Sequence, residues 1–203
     1  MISVAALVYN KREPSQGHTM GKHAVRFRCH HCLHCCTEVV CLPTPYDVIR
    51  IVRETGENPY RFLEFLQPDE LTGVAKNDPT WLRVGKERFM MALRRDTKCF
   101  FLDKRTRRCR IYEVRPILCR LYPFKLHETH DGAFKAFTLH SDVDCPRHRD
   151  GVAHTQALYD LYLEDSRHQQ DYTDLVAVFN QRDYAGKKPQ DFIRMFIDDI
   201  EDG

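Results

Sequence analysis

Nine cysteines in a chain of 203 residues are the feature that most restricts how this sequence can fold. Four of them fall within one short segment, at Cys29, Cys32, Cys35 and Cys36. Because the total is odd, disulfides cannot pair them all, and the chain is longer than the usual disulfide-stabilised miniprotein. The segment from Met1 to Tyr9 has no basic residues before it and no cleavage site, so a secretory leader is not expected. The cysteines therefore predict a metal-binding protein in a reducing compartment, and we expect a cytoplasmic location.

The charge composition indicates no general attraction to nucleic acids or acidic membranes. Lys and Arg number 31 and Asp and Glu number 29, so the formal net charge is +2. A basic run at residues 104–108 carries few interleaved aromatic side chains, so nucleic-acid binding is not expected. No segment reaches the apolar length of a membrane span. We therefore expect a protein partner, which the sequence does not identify, and no membrane contact.

Capping signals predict helices directly after the first cysteine group. Thr44 as N-cap and Pro45 at the first helical position begin a helix that Gly56 is placed to end. Asn58-Pro59 repeats the start signal and predicts a second short helix that carries apolar residues as far as Leu66.

The middle of the chain has the short apolar runs of β-strands, with breaker residues between them. The predicted strand segments are residues 89–93, 99–102, 109–112, 121–126 and 134–139. Residues 103–108 are predicted to form a hairpin loop, and Asp131-Gly132 is a turn signal between the last two strands.

The C-terminal third is predicted to be helical. Residues 152–182 lack internal Pro and Gly, and Pro189 opens a last helix. That helix has an apolar stripe, which we interpret as core packing, with a partner-helix surface as the alternative. The stripe consists of Phe192, Ile193, Phe196, Ile197 and Ile200. The sequence thus predicts an α+β fold: a loose N-terminal arm (1–24), a metal-centred domain with short strands (25–150) and a helical tail packed on it (151–203).

The spacing of the first cysteines favours a metal over isolated buried thiols. Two-residue spacing lets thiolates converge on one centre while the intervening N–H groups turn toward the sulfurs, as in zinc sites and iron–sulfur clusters. The run resembles that of a ferredoxin, but its fourth cysteine position is Val39. Cys35 and Cys36 would diverge in extended backbone, so they could serve different metals, or one could bind while the other acts, with Cys36 as the candidate for the unligated thiol.

Two longer motifs make the sequence similar to a known family. The run from Cys99 to Asp103 and the run from Cys109 to Phe124, together with Phe27 and the first cysteine group, resemble the YkgJ-type CxxCxxCC cysteine-cluster family. The resemblance covers about residues 27 to 146 and implies a zinc- or iron-chelating domain. It also implies eight metal-binding cysteines: Cys29, Cys32, Cys35, Cys36, Cys99, Cys109, Cys119 and Cys145.

Two positions depart from the family pattern. Cys41 falls outside the eight, and we interpret it as an extra buried thiol or an incidental ligand. The family usually has Gly where this chain has Leu33. If that Gly supplies a positive φ, we expect a modified turn here.

Basic and imidazole side chains surround the cysteines. The arginines are interpreted either as charge compensation for a metal–thiolate centre or as a solvated hairpin face; they are Arg107, Arg108, Arg110, Arg115 and Arg120. Histidines also cluster there, at His18, His23, His30, His31 and His34. Of these, His34 is the best candidate for a substitute ligand or a donor to a thiolate. His140 and His148 flank Cys145.

These observations leave several functions open. The first is a protein that chelates iron, as an iron–sulfur cluster, or zinc, and that serves as an oxidoreductase or an accessory to one. The alternative is a zinc-stabilised structural or interaction module without catalysis. A third, from a distant similarity to flagellin lysine-N-methylases, is an enzyme related to protein methylation. The sequence has no Rossmann, P-loop or flavin signal and identifies no catalytic residue.

Overall fold

A computed structural model describes residues 24–131, 133–140 and 151–197 of the chain. Nearly all of the predicted N-terminal arm lies outside the described residues, as do Cys145, His18, His23 and His148.

Within the described residues the protein is α+β, as predicted. The helices are α1 (His34–Thr37), α2 (Pro45–Thr55), α3 (Pro59–Phe62), α4 (Ile117–Leu121), α5 (Thr155–Gln181) and α6 (Asp191–Ile197). The strands are β1 (Ala24–Val25), β2 (Leu63–Leu66), β3 (Leu82–Val84), β4 (Glu87–Leu93), β5 (Leu102–Asp103), β6 (Arg108–Cys109), β7 (Phe124–Glu128), β8 (Phe134–Leu139) and β9 (Ala153–His154). The strands pair antiparallel as β1-β9, β2-β4-β3, β5-β6 and β7-β8.

Helix α2 begins and ends where its capping residues predict. The Asp47 N–H donates to Thr44 Oγ1 at 3.3 Å, and the Thr44 N–H donates to Asp47 Oδ2 at 3.0 Å. This reciprocal capping box satisfies two N–H groups that a helix start leaves without partners. At the other end Gly56 has a φ of +65°, the left-handed conformation that terminates many helices.

The second helix is shorter than its sequence pattern predicts. Helix α3 ends at Phe62, and residues 63–66 form strand β2, which pairs with β4 from Leu63 opposite Leu93 to Leu66 opposite Met90. Apolar residues in a short unbroken run are compatible with either structure. Here the strand forms because residues 90–93 of β4 offer backbone hydrogen-bonding groups to residues 63–66, and a helix could not pair with them.

The main hydrophobic core joins α2, α5 and α6. Phe192 and Ile193 are fully buried and Phe196 nearly so, which confirms core packing for this part of the C-terminal stripe; Ile200 lies outside the described residues. The Phe192 and Phe179 rings meet edge to face, with centroids 5.6 Å apart. Among the described helices none is both long and apolar enough to cross a membrane.

The predicted hairpins form, with shorter strands. Strands β5 and β6 contribute two residues each, and β7 and β8 pair on either side of the predicted turn. Of the predicted strand 121–126, Leu121 is instead the last residue of α4, and the strand begins at Phe124. Cys99 lies just before the β5-β6 hairpin, Cys109 lies in β6 and Cys119 lies in α4, so short elements position these thiols.

Candidate metal centre

The first cysteine group lies in a tight loop that leads into α1. The Leu33 carbonyl accepts hydrogen bonds from the N–H groups of Cys36 at 2.7 Å and Thr37 at 2.9 Å. Leu33 itself has φ 72° and ψ 0°, which is the left-handed conformation that glycine adopts at least cost. The modified turn that we expected is therefore not observed, because Leu33 adopts the conformation that a glycine would supply. Its side chain is buried, and that burial offsets the backbone strain.

Cys35 and Cys36 form a close pair of thiols. They lie in helix α1, so the assumption of extended backbone was wrong, and their Sγ atoms are 3.9 Å apart. A hydrogen bond from the Cys36 side chain lowers the pKa of Cys35 to about 7, with smaller help from N–H groups and from the charge of Arg115. The same contact, burial and the charge of neighbouring thiolates raise the pKa of Cys36 far above its ordinary value. Cys35 is thus the thiol of this pair that deprotonates first.

The β5-β6 hairpin and the segment just before it bring Cys109 and Cys99 to the cysteine group of α1. The Cys99 N–H donates to the Cys36 carbonyl at 2.8 Å, which ties the two segments together directly. Burial, and the charges of Cys119 and Cys109, raise the pKa of Cys99 to about 12. Burial also raises the pKa of Cys109, where Cys119 and Cys35 add to the effect.

Helix α4 supplies Cys119, and its position is fixed by a buried carboxylate. Asp47 Oδ1 accepts the Ile117 N–H at 3.1 Å and an Arg50 nitrogen at 2.6 Å. Arg50 also donates to the Arg115 carbonyl at 3.0 Å. The Sγ atoms of Cys119 and Cys41 lie 3.5 Å apart, and this contact together with burial raises the pKa of Cys41 well above its ordinary value.

The structure therefore gathers thiols from the first cysteine loop, the hairpin and α4. We call this set the thiol cluster: Cys35, Cys36, Cys41, Cys99, Cys109 and Cys119. Besides hydrogen bonding and burial, the thiolate charges of neighbouring members raise the pKa of Cys36, Cys41, Cys99 and Cys109. In the described part of the chain, no three Cys, His, Asp or Glu side chains are already arranged as a metal site.

The remaining predicted ligands lie elsewhere. Cys29 and Cys32 are exposed, at the outer part of the loop. The His31 N–H donates to Cys29 Sγ at 3.4 Å, which is the N–H to sulfur contact that two-residue spacing predicts. Cys145 lies outside the described residues, so its place relative to the cluster stays a prediction.

Two arginines face the thiols, and only one of them was singled out in the sequence. The charge of Arg115 contributes to the lowered pKa of Cys35 and opposes the burial that raises the pKa of Cys109, as charge compensation predicts. Arg95, which sequence reasoning missed, donates to the Thr37 carbonyl, and its charge opposes the burial that raises the pKa of Cys99. In the sequence, an arginine four residues before a cysteine gave no signal of this contact. Arg110 instead lies over the Phe100 ring, with its guanidinium carbon 5.3 Å from the centroid.

The histidines take places around aromatic rings. His34 and His140 both stack on Tyr122, with centroid distances of 6.4 Å and 6.5 Å. His31 contacts Tyr112 at 5.2 Å between ring centroids. His34 thus lies next to Cys35 with its ring stacked on Tyr122, and its role as a ligand stays a prediction.

The donor set fits a thiophilic metal ion. Half-buried thiols that repel one another as thiolates favour a divalent cation, because the cation replaces their protons and cancels their charge. Arg95 Nη1 is buried and has no hydrogen-bond acceptor among the described residues. A donor of this kind suits an anionic metal–thiolate centre, whose sulfurs accept such bonds.

Comparisons with known proteins agree with this chemistry. Residues 28–146 match the model of the CxxCxxCC family, which is described as a "putative zinc- or iron-chelating domain". An uncharacterized protein of Methanocaldococcus jannaschii is 37% identical over 75 residues, which cover 37% of this chain and 34% of that protein. The chain therefore matches about a third of the length of that relative. No solved structure matches the chain.

Proposed function

Because this chain belongs to the CxxCxxCC family, whose model matches more than half of its length, we propose that the protein binds iron or zinc through cysteine thiolates. The thiol cluster is the observation that carries this proposal. Thiols from three separate segments meet in one half-buried place, where burial and the charge of neighbouring thiolates keep Cys36 and Cys99 protonated unless a metal cation replaces their protons.

The eight family cysteines would hold the metal, and other side chains would tune it. Arg95 and Arg115 would balance the negative charge of the thiolates, and the N–H groups of the first loop would donate to sulfur. Cys35, whose pKa the hydrogen bond from Cys36 lowers, would give up its proton to the metal more readily than Cys36.

Iron, bound as an iron–sulfur cluster, is the form that we propose first, with a redox or accessory role. When bound, such a cluster supplies one-electron transfer. Exposure of Cys29 and Cys32 supports this role, because a partner that exchanges electrons with the centre needs access to one side of it. The chain's own contribution would be to bind the cluster, to compensate its charge with Arg95 and Arg115, and to shield its inner side.

Zinc with a purely structural role is the second candidate, and the brevity of the surrounding elements favours it. Strands β5 and β6 have two residues each and α4 has five, so few backbone hydrogen bonds hold Cys99, Cys109 and Cys119 in place. A metal that cross-links these segments would add its binding free energy to the stability of the fold.

Metal and acid-labile sulfide analysis of anaerobically purified protein, with an absorption spectrum, tests the proposal. Iron with matching sulfide and a broad band near roughly 400 nm would support the cluster. Zinc without colour would support the structural role. Cys32→Ser should lose metal, whereas His30→Ala, an exposed neighbour in the same loop, should keep it. Protein free of both metals, or full metal content in Cys32→Ser, would contradict the ligand assignment.

A further inference from the structure

Cys41 is the thiol that the family pattern omits and that the structure includes in the thiol cluster. Its side chain is buried, with an exposed fraction of 8%. The Cys41 carbonyl accepts the Leu93 N–H at 2.9 Å, so its backbone is fixed against the end of β4. From there its Sγ atom lies 3.5 Å from Cys119 Sγ.

Hydrogen bonds near both cysteines hold Cys41 and Cys119 close together. Three residues after Cys41, Thr44 is bonded to Asp47 through both its backbone N–H and its hydroxyl. Asp47 in turn accepts the Ile117 N–H, two residues before Cys119. The two thiols are therefore brought together by a buried carboxylate that fixes both chain segments.

The spacing of the two thiols fits a pair of ligands on one ion. Two sulfurs that each lie about 2.3 Å from a tetrahedral ion are about 3.8 Å from each other. The Cys41–Cys119 distance of 3.5 Å and the Cys35–Cys36 distance of 3.9 Å both lie close to that value. The Sγ–Sγ distance from Cys41 to Cys119 is thus similar to that between Cys35 and Cys36, which are both predicted ligands.

A small cavity lies beside the Cys41–Cys119 pair. Its volume is about 30 Å³, and its lining includes Cys35, Cys41 and Cys119, with Val40 and Leu118 as apolar neighbours. A space of this size holds a single water molecule or ion. Three thiols of the cluster therefore border the same small space.

We propose that Cys41 is a ninth metal-binding thiol, which binds one zinc or iron ion together with Cys119. This inference rests on the proposed function, and it adds a ligand that the family's eight cysteines do not contain. The ion would lie at the buried side of the centre, where the apolar neighbours of Cys41 exclude water.

Titration of the metal-free protein with Co²⁺, followed by displacement with Zn²⁺ in competition with a chelator, tests the assignment. Cys41→Val keeps an apolar side chain of similar size, and Val40→Ala alters the same cavity without touching a thiol. We expect Cys41→Val to weaken Zn²⁺ binding at one site by at least about tenfold and to reduce the thiolate-to-cobalt charge-transfer band. Val40→Ala should leave both unchanged.

A measurement on the unaltered protein keeps the test independent of variant folding. In the ¹¹³Cd-loaded chain, a metal–proton correlation spectrum links each ion to the Cβ protons of its own cysteines. A cadmium signal shared by Cys41 and Cys119 supports the proposal. Unchanged Zn²⁺ binding and charge-transfer intensity in Cys41→Val, or a bound ion without a Cys41 correlation, overturns it while leaving the proposed function intact. A chain that binds none of these metals overturns both.

Discussion

The helical core and the thiol cluster are stabilised in different ways, although they share a boundary. In the core, Phe179, Phe192 and Ile193 are almost wholly buried, and α2 is closed at both ends by capping groups. In the cluster, the elements are two to five residues long and the meeting side chains are thiols. Apolar burial stabilises the first region without a cofactor, whereas the second gathers groups that repel one another when ionised.

This contrast indicates that the core and the metal stabilise different parts of the fold. The core positions the backbone around the cluster, through Asp47 and its bond to the Ile117 N–H. The metal would then secure the thiol-bearing segments. Damage to the cluster should therefore appear first as metal loss, and damage to the core as lost stability with the metal stoichiometry retained.

Cys119→Ser should have the largest effect, because it removes a thiolate from the centre of the cluster and leaves a hydroxyl that binds soft metals poorly. We expect loss of bound metal, followed by loss of ordered structure in the segments that carry the thiols. Metal analysis and circular dichroism of the variant measure both. The metal-free wild-type protein, prepared with a chelator, is the matched control and should show the same loss of structure. Full metal content in Cys119→Ser would contradict the account.

Phe192→Ala should come next, with a cost of about 3–5 kcal/mol in the free energy of unfolding. The ring extends from α6, is fully buried and packs against Phe179 of α5, so its removal leaves a cavity. Denaturant unfolding of the metal-loaded protein measures the loss. Metal bound per folded chain should stay at the wild-type value. A fall in that ratio would show that the two regions are not separable in this way.

Asp165→Asn should change the pH dependence of the core. Burial, with the charge of Asp47, raises the pKa of Asp165 from 3.8 to about 7. Since this pKa is raised in the folded state, the native protein is destabilised progressively as pH rises from about 4 to about 7, where Asp165 ionises. The variant should thus be more stable than wild type at pH 8, by on the order of 1–4 kcal/mol. The two should agree closely near pH 4. Chemical denaturation at both pH values measures this, and equal stability at pH 8 would refute it.

Leu33→Gly should have the smallest effect, since two changes oppose each other. Glycine relieves the left-handed backbone, worth about 1–2 kcal/mol, but loses the buried side chain, worth about 1.5–3 kcal/mol. Leu33→Ala is the matched comparison, because it loses the burial and keeps the strain. Thermal unfolding should find the Gly variant more stable than the Ala variant. The opposite order would show that Leu33 is not strained.

Sequence reasoning succeeded where local chemistry decides the structure. Thr44 and Gly56 mark α2 correctly, because capping depends on residues within one turn of the helix end. It failed at residues 63–66, where pairing with β4 outweighs the local pattern. The fold class depends mostly on the first kind of signal and was therefore predictable.

For the metal centre, spacing identified the first cysteine group, and the pattern of residues 99–112 predicted the hairpin that carries Cys109. The approach of Cys41 to Cys119 could not be read in this way. It depends on a bond between Asp47 and the Ile117 N–H, which are 70 residues apart in the chain. Arg95 was missed for a similar reason, because an arginine before a cysteine carries no spacing signal until the strands are paired.

X-ray absorption at the edge of the bound metal, on protein purified without added metal, tests the central claim most directly. The account predicts a first coordination shell dominated by sulfur, at about 2.3 Å if the metal is zinc or thiolate-bound iron. A shell dominated by nitrogen or oxygen, or a protein that carries neither iron nor zinc, would contradict it.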